Sequence, residues 1–140
     1  MEVKSSRLGI LQVSEEDFVG FQEGVLGFPE SKTYVWLNSI EPDLPIELLQ
    51  CTRDSNLAFM VVDPFEFASE YEFDLSEETK HALDISSQEQ VVIRVILTAR
   101  QNSTTINLKA PLIINVVNRR ASQIILDGPQ YQLQYPIGRG

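Results

Sequence analysis

Residues 90–99 read QVVIRVILTA, a run of strand length in which valine and isoleucine dominate. Branching at Cβ restricts these side chains in a helix and suits a pleated surface, so the run predicts a strand. Similar short runs lie on both sides of it. TTINL (104–108), PLIIN (111–115) and SQIIL (122–126) follow, and RLGILQV (7–13), TYVWLN (33–38), IELLQC (46–51) and LAFMVV (57–62) precede it. Short apolar runs between turn-forming residues predict an all-β, single-domain fold over residues 1–140, an antiparallel β-barrel-like or sandwich architecture.

One stretch departs from this pattern. In SEETKHALDI (76–85), Ser76 is placed to cap a helix, Glu77 and Glu78 stand at the positive end of its dipole, and Ala82 with Leu83 form a small apolar face. One short α-helix is therefore expected. Gly20, Gly24 and Gly27 with Pro29 interrupt the chain after the first run, and positive-φ turns are the expected use of these glycines. Pro42 and Pro45 bracket an acidic loop, Asp63-Pro64 ends LAFMVV, and Pro111 opens PLIIN where a missing N–H breaks no ladder bond. The end, QYPIGRG, reads as a fraying tail, and neither a linker nor an internal repeat divides the chain.

At 140 residues and 15.8 kDa, with 43% hydrophobic and 22% charged residues, the composition is that of a globular protein with one core. No run approaches the ~20 apolar residues of a membrane helix, and MEVKSSRLGILQV has no secretory signal's apolar core, so a cytoplasmic location is expected. The net charge is −9, which disfavours a phosphate-binding surface and hence direct nucleic-acid contact. The imbalance is uneven: residues 1–89 carry 5 basic and 19 acidic side chains, residues 90–140 carry 6 and 1. Two readings fit this asymmetry, a solvated surface and an acidic face that attracts a basic partner.

Carboxylates and rings meet most densely in DPFEFASEYEFDL (63–75). On a strand, a period of two would put Tyr71, Phe73 and Leu75 on one face and Glu72 and Asp74 on the other. Phe65 and Phe67 would likewise share a face opposite Glu66. The acids then form an outer row, either guarding an edge strand against aggregation or offering negative charge beside an apolar contact.

Catalytic chemistry is sparse. The single histidine, His81, falls on the expected helix among charged neighbours, and the single cysteine, Cys51, sits in an apolar run where a buried thiol acts as a small hydrophobe. The glycines spell no phosphate loop, and the acidic groups Glu15, Glu16, Asp17 and Glu66, Glu70, Glu72, Asp74 lack calcium-loop spacing. No cofactor and no metal are expected. The residues leave three readings open: a protein-binding surface, a small hydrolase using a carboxylate pair, and an inert structural module.

Five motifs in order resemble the bacterial flagellar assembly factor FliW family: FQEGVLGF (21–28), LAFMVVDPF (57–65), EYEFDL (70–75), NLKAPLIIN (107–115) and RRASQIIL (119–126). Leu26 stands where that family usually has proline, Glu66 at a commonly apolar position, and Ala68-Ser69 where an aromatic-proline pair is frequent. The resemblance implies a non-enzymatic, cytoplasmic β-barrel-like protein that binds flagellin and the translational repressor CsrA. Binding CsrA would relieve repression of flagellin synthesis, and new flagellin would capture the factor by partner exchange. On that basis Glu66, Glu70, Glu72 and Asp74 are the first candidates for CsrA, and Glu15, Glu16 and Asp17 the second. Phe65, Phe67 and Tyr71 are candidates for an apolar contact with flagellin, and Arg119 and Arg120 bound a separate surface.

Overall fold

The computed structural model describes residues 1–38 and 43–138. Its strands are β1 (Glu2–Ser5), β2 (Gly9–Gln12), β3 (Phe18–Phe21), β4 (Thr33–Leu37), β5 (Glu47–Cys51), β6 (Ala58–Val62), β7 (Val91–Arg100), β8 (Ser103–Ile106), β9 (Leu112–Asn115), β10 (Arg120–Gln123) and β11 (Tyr135–Gly138). The main sheet runs β11-β8-β7-β6-β5-β4-β3-β10-β9, and β7 also pairs with β9, which closes the seven strands from β7 to β9 into a barrel. Closure removes the sheet edge at those strands. β3 and β10 pair in parallel, and the other barrel pairs are antiparallel. The strand β7 that QVVIRVILTA predicts is the seam: Val91–Arg94 pairs with β9, and Leu97–Arg100 pairs with β8, which lies outside the barrel.

Alternation along each strand divides the apolar residues between three cores. Val19, Phe21, Tyr34, Leu49, Cys51, Val61, Leu112, Ile114 and Ala121 fill the barrel, with the Tyr34 ring edge-on to Phe21 at 5.5 Å. The Cys51 thiol is buried and unpaired, as its apolar run predicts. On the outside, the β1–β2 hairpin packs Val3 and Val13 against Val35 of β4. A second outer core gathers Val62, Val95, Leu97 and Ile106 from the sheet under Tyr71, Leu108 and Leu126.

Several local expectations change. Pro64–Glu66 forms a 3-10 turn, so Phe65 and Phe67 do not share a face: Phe65 is 45% exposed and Phe67 packs into the second outer core. Tyr71–Leu75 makes no ladder pairing, yet Tyr71 is buried, Phe73 and Leu75 half-buried, and Glu72 and Asp74 exposed. The division of rings from acids survives without the strand. Gly20 lies within β3, whereas Gly24 and Gly27 do take positive φ, 71° and 89°. A side chain at Gly24 would also collide with the Phe28 carbonyl oxygen and Pro29. QYPIGRG is no fraying tail as far as it is described, because Tyr135 and Pro136 pair with Ile106 and Thr105 of β8. Pro42 and the last residues of the tail lie outside the described residues. β1, β3 and β11 were not among the predicted runs.

The expected helix is α1 (Glu77–Ala82), whose cap Ser76 accepts from the Thr79 N–H at 3.1 Å. Leu83 is buried but Ala82 is exposed, so the apolar face is Leu83 alone, and His81 is exposed. Replacing Ser76 with alanine should cost about 1 kcal/mol, read as a lower urea midpoint with an unchanged denaturant slope. An unchanged midpoint would mean that the cap contributes nothing to the fold.

Candidate functional site

The connection from β6 to β7 spans residues 63–90 and begins with a local stop signal. The Asp63 carboxylate accepts from the Phe65 N–H at 2.9 Å while Pro64 occupies the first position of the turn, where its missing N–H is no loss. The N–H groups of Phe67 and Ala68 then return to the Pro64 carbonyl at 3.1 and 2.9 Å, and the Tyr71 N–H reaches the Ala68 carbonyl at 3.0 Å. From here the chain forms a strap across the outer face of the sheet.

Tyr71 pins this strap. Its ring lies 5.7 Å from Phe65, 5.4 Å from Phe73 and 6.0 Å from Tyr131, and its hydroxyl donates to the Leu108 carbonyl at 2.8 Å. Burial, with the Tyr131 phenol close by, pushes the Tyr71 hydroxyl well above the ordinary tyrosine range, so it is a neutral donor at any physiological pH. A second clamp comes from the C-terminal segment, where the Tyr131 hydroxyl donates to the Glu72 carbonyl at 2.7 Å.

With Phe67, Tyr71 and Phe73 turned inward and Phe65 left exposed, Glu66, Glu70, Glu72 and Asp74 are exposed as well. Among the described residues the side-chain ion pairs are Lys80–Glu77 and Arg94–Glu47, so none of these four acids is neutralised by a basic side chain. A groove of about 770 Å³ lies along one flank of the strap, walled by Phe65, Phe73, Leu75, Ile85, Val91 and Ile93. Glu72, Asp74 and Glu89 line the same groove, with Lys80 as its base. A second groove of about 510 Å³ lies on the other flank, between residues 67–72 and Leu108, Gln130, Tyr131 and Tyr135.

The other acidic group, Glu15–Asp17, forms a 3-10 turn ahead of β3, where Asp17 accepts from the Ser14 N–H at 3.0 Å and Glu15 and Glu16 are exposed. Strands β3 to β6 alternate in direction, so the start of β3 and the end of β6 fall at one end of the barrel. Both acidic groups thus leave from the same end, three strands apart in the sheet.

Polar residues also close that end of the barrel. Glu47 accepts from the Trp36 indole N–H at 2.9 Å and from the Arg94 guanidinium at 2.7 Å, and the Arg94 and Arg119 guanidinium carbons lie 5.6 and 5.2 Å from the Trp36 ring centre. Arg119 also donates to the Phe18 carbonyl at 3.1 Å from a left-handed backbone, φ 62°. It is part of this mouth, while Arg120 is exposed on β10. The clues to this cluster were Glu47 and Arg94, single charges inside the apolar runs IELLQC and QVVIRVILTA, which need a partner if they face inward. Tyr131 carried no comparable signal.

Among the described residues no helix is long and apolar enough to cross a membrane, and no three or more His, Cys, Asp or Glu side chains gather as a metal site would require.

The FliW protein family matches residues 2–137. The flagellar assembly factor FliW of Ruminiclostridium cellulolyticum is 40% identical, covering 98% of this chain and 94% of that protein. That of Bacillus subtilis is 40% identical, covering 93% and 92%. A crystal structure of the flagellar assembly factor FliW superposes with a TM-score of 0.90 at 34% identity, covering 99% of this chain and 97% of that one. These relatives carry the name of an assembly factor, and none of these findings supports the carboxylate hydrolase considered from the sequence. Matched over nearly its whole length in sequence and in fold, the chain belongs to the FliW family of flagellar assembly factors.

Proposed function

We propose that this chain works in the cytoplasm by binding two proteins in turn, the translational repressor CsrA and flagellin, and that it makes and breaks no covalent bond. Binding CsrA frees flagellin synthesis from repression, and the flagellin so made draws the factor away. The observation that carries this reading is the strap at 65–75, whose four exposed acids have no basic partner while its rings hold it to the barrel. An RNA-binding repressor presents basic surface, and opposite potentials speed encounter, to roughly 10⁸ M⁻¹s⁻¹ at low salt against about 10⁵–10⁶ for a neutral pair.

Glu66, Glu70, Glu72 and Asp74 are assigned to CsrA, with Glu15, Glu16 and Asp17 adding to the field from the same end of the barrel. For flagellin, Phe65 is the ring that supplies contact, being 45% exposed, and Tyr71 and Phe67 hold it in place from the core. Affinity capture from a lysate should bring down both CsrA and flagellin, and adding purified flagellin should release CsrA. Capture of neither would end this reading. A Glu72→Lys variant should associate with CsrA several-fold more slowly at low salt, the difference shrinking as salt rises. Unchanged stopped-flow association would remove the strap from the encounter.

A further inference from the structure

The outward side chains of β7 are Val91, Ile93, Val95 and Leu97, but they are not equally covered. Val95 and Leu97 are 0% and 6% exposed beneath the second outer core, while Val91 and Ile93 are only half-buried and form a wall of the groove. The strap therefore leaves the start of this strand incompletely covered. What is left is an unfilled continuation of that core, faced from the other side by Phe65, Phe73 and Leu75.

We propose that this groove seats a short segment of a partner protein in which large apolar side chains stand next to lysine or arginine. The inference rests on the binding-protein reading above and names the surface such a partner fills. The apolar requirement follows from the walls, because an aliphatic or aromatic side chain laid on Val91 and Ile93 extends a core that already exists. The basic requirement follows from the charge: Glu72, Asp74 and Glu89 line the groove against Lys80 alone, and Lys80 already lies 3.5 Å from Glu77. A cation beside the apolar anchor meets uncompensated negative charge, whereas an acidic segment or a phosphate is repelled.

Isotope-labelled protein titrated with a synthetic leucine-lysine peptide tests this, alongside a leucine-glutamate peptide of the same pattern. The expected result is methyl shifts at Ile85, Val91 and Ile93 with the lysine peptide and binding of the glutamate peptide weaker by roughly tenfold at low salt. An Asp74→Lys/Glu89→Lys variant should narrow or invert that preference, and Phe65→Ser, at an exposed site, should weaken the lysine peptide with the fold intact. Shifts confined to another face, equal binding of the two peptides, or a preference untouched by the charge reversal overturns the proposal. CsrA and flagellin binding is measured on the same variants. Capture of both partners at unchanged affinity by the reversal variant overturns the groove and the assignment of Asp74 to CsrA, and leaves the two-partner function standing. Failure of the wild type to bind either protein, with the peptide result as expected, does the opposite.

Discussion

Truncation of Tyr71 to alanine is expected to destabilise the fold by about 3–5 kcal/mol, the range for removing a large aromatic from a core. The ring is 8% exposed and touches Phe65, Phe73 and Tyr131, and its hydroxyl satisfies the Leu108 carbonyl. Urea denaturation gives the magnitude, and partner association should fall with it, because the acids on either side lose their fixed position. A loss under about 1 kcal/mol would mean the strap is held by other contacts. Tyr71→Phe keeps the ring and removes only the donor, so about 1–2 kcal/mol is expected. This variant also isolates a pH effect. The folded phenol titrates above its ordinary range, so near pH 10 and above the unfolded chain releases a proton that the folded chain keeps. Stability is therefore full below that range and falls as pH rises through it, and Tyr71→Phe should flatten the alkaline slope.

Glu47→Ala is the second large effect, at about 2–3 kcal/mol, below the range for a fully buried pair because both partners keep some water contact. The carboxylate is 20% exposed and serves Arg94 and Trp36 together, so its loss strands a guanidinium and an indole N–H at the barrel mouth. The penalty belongs mostly to the uncompensated cation, and this makes a discriminating control available. Glu47→Leu combined with Arg94→Leu should recover much of the loss in the same urea measurement, since an apolar pair of similar volume carries no buried charge. If the double variant is no better than the single one, packing around Trp36 rather than charge is what the pair supplies.

Strands β4 to β9 were legible because short runs rich in Val, Ile and Leu between turn-forming residues are too short for a buried helix and suit a pleated surface. β3 and β11 were not, since FVGF and YPIG carry glycine or proline and earn their strand status from neighbours far away in sequence. At the strap, the alternation of rings and acids from Tyr71 to Asp74 was readable, because burial of aromatic surface decides it whether or not a ladder forms. The alternation in FEF predicts a strand where Pro64–Glu66 forms a 3-10 turn, because Asp63 as a cap and Pro64 at the first turn position outweigh that alternation. The grooves on either flank and the Tyr131 clamp come from the C-terminal segment folding back, and no local pattern reports that.

The parallel pairing of β3 with β10 joins residues about a hundred positions apart, with Arg119 reaching the Phe18 carbonyl beside that pairing. During synthesis, the first staves of this cylinder must wait for nearly the last of the chain before the ring can shut. Until Ala121 has cleared the ribosome, Val19 and Phe21 have no lasting cover, which predicts a slow final zippering step and a nascent intermediate with sticky apolar surface.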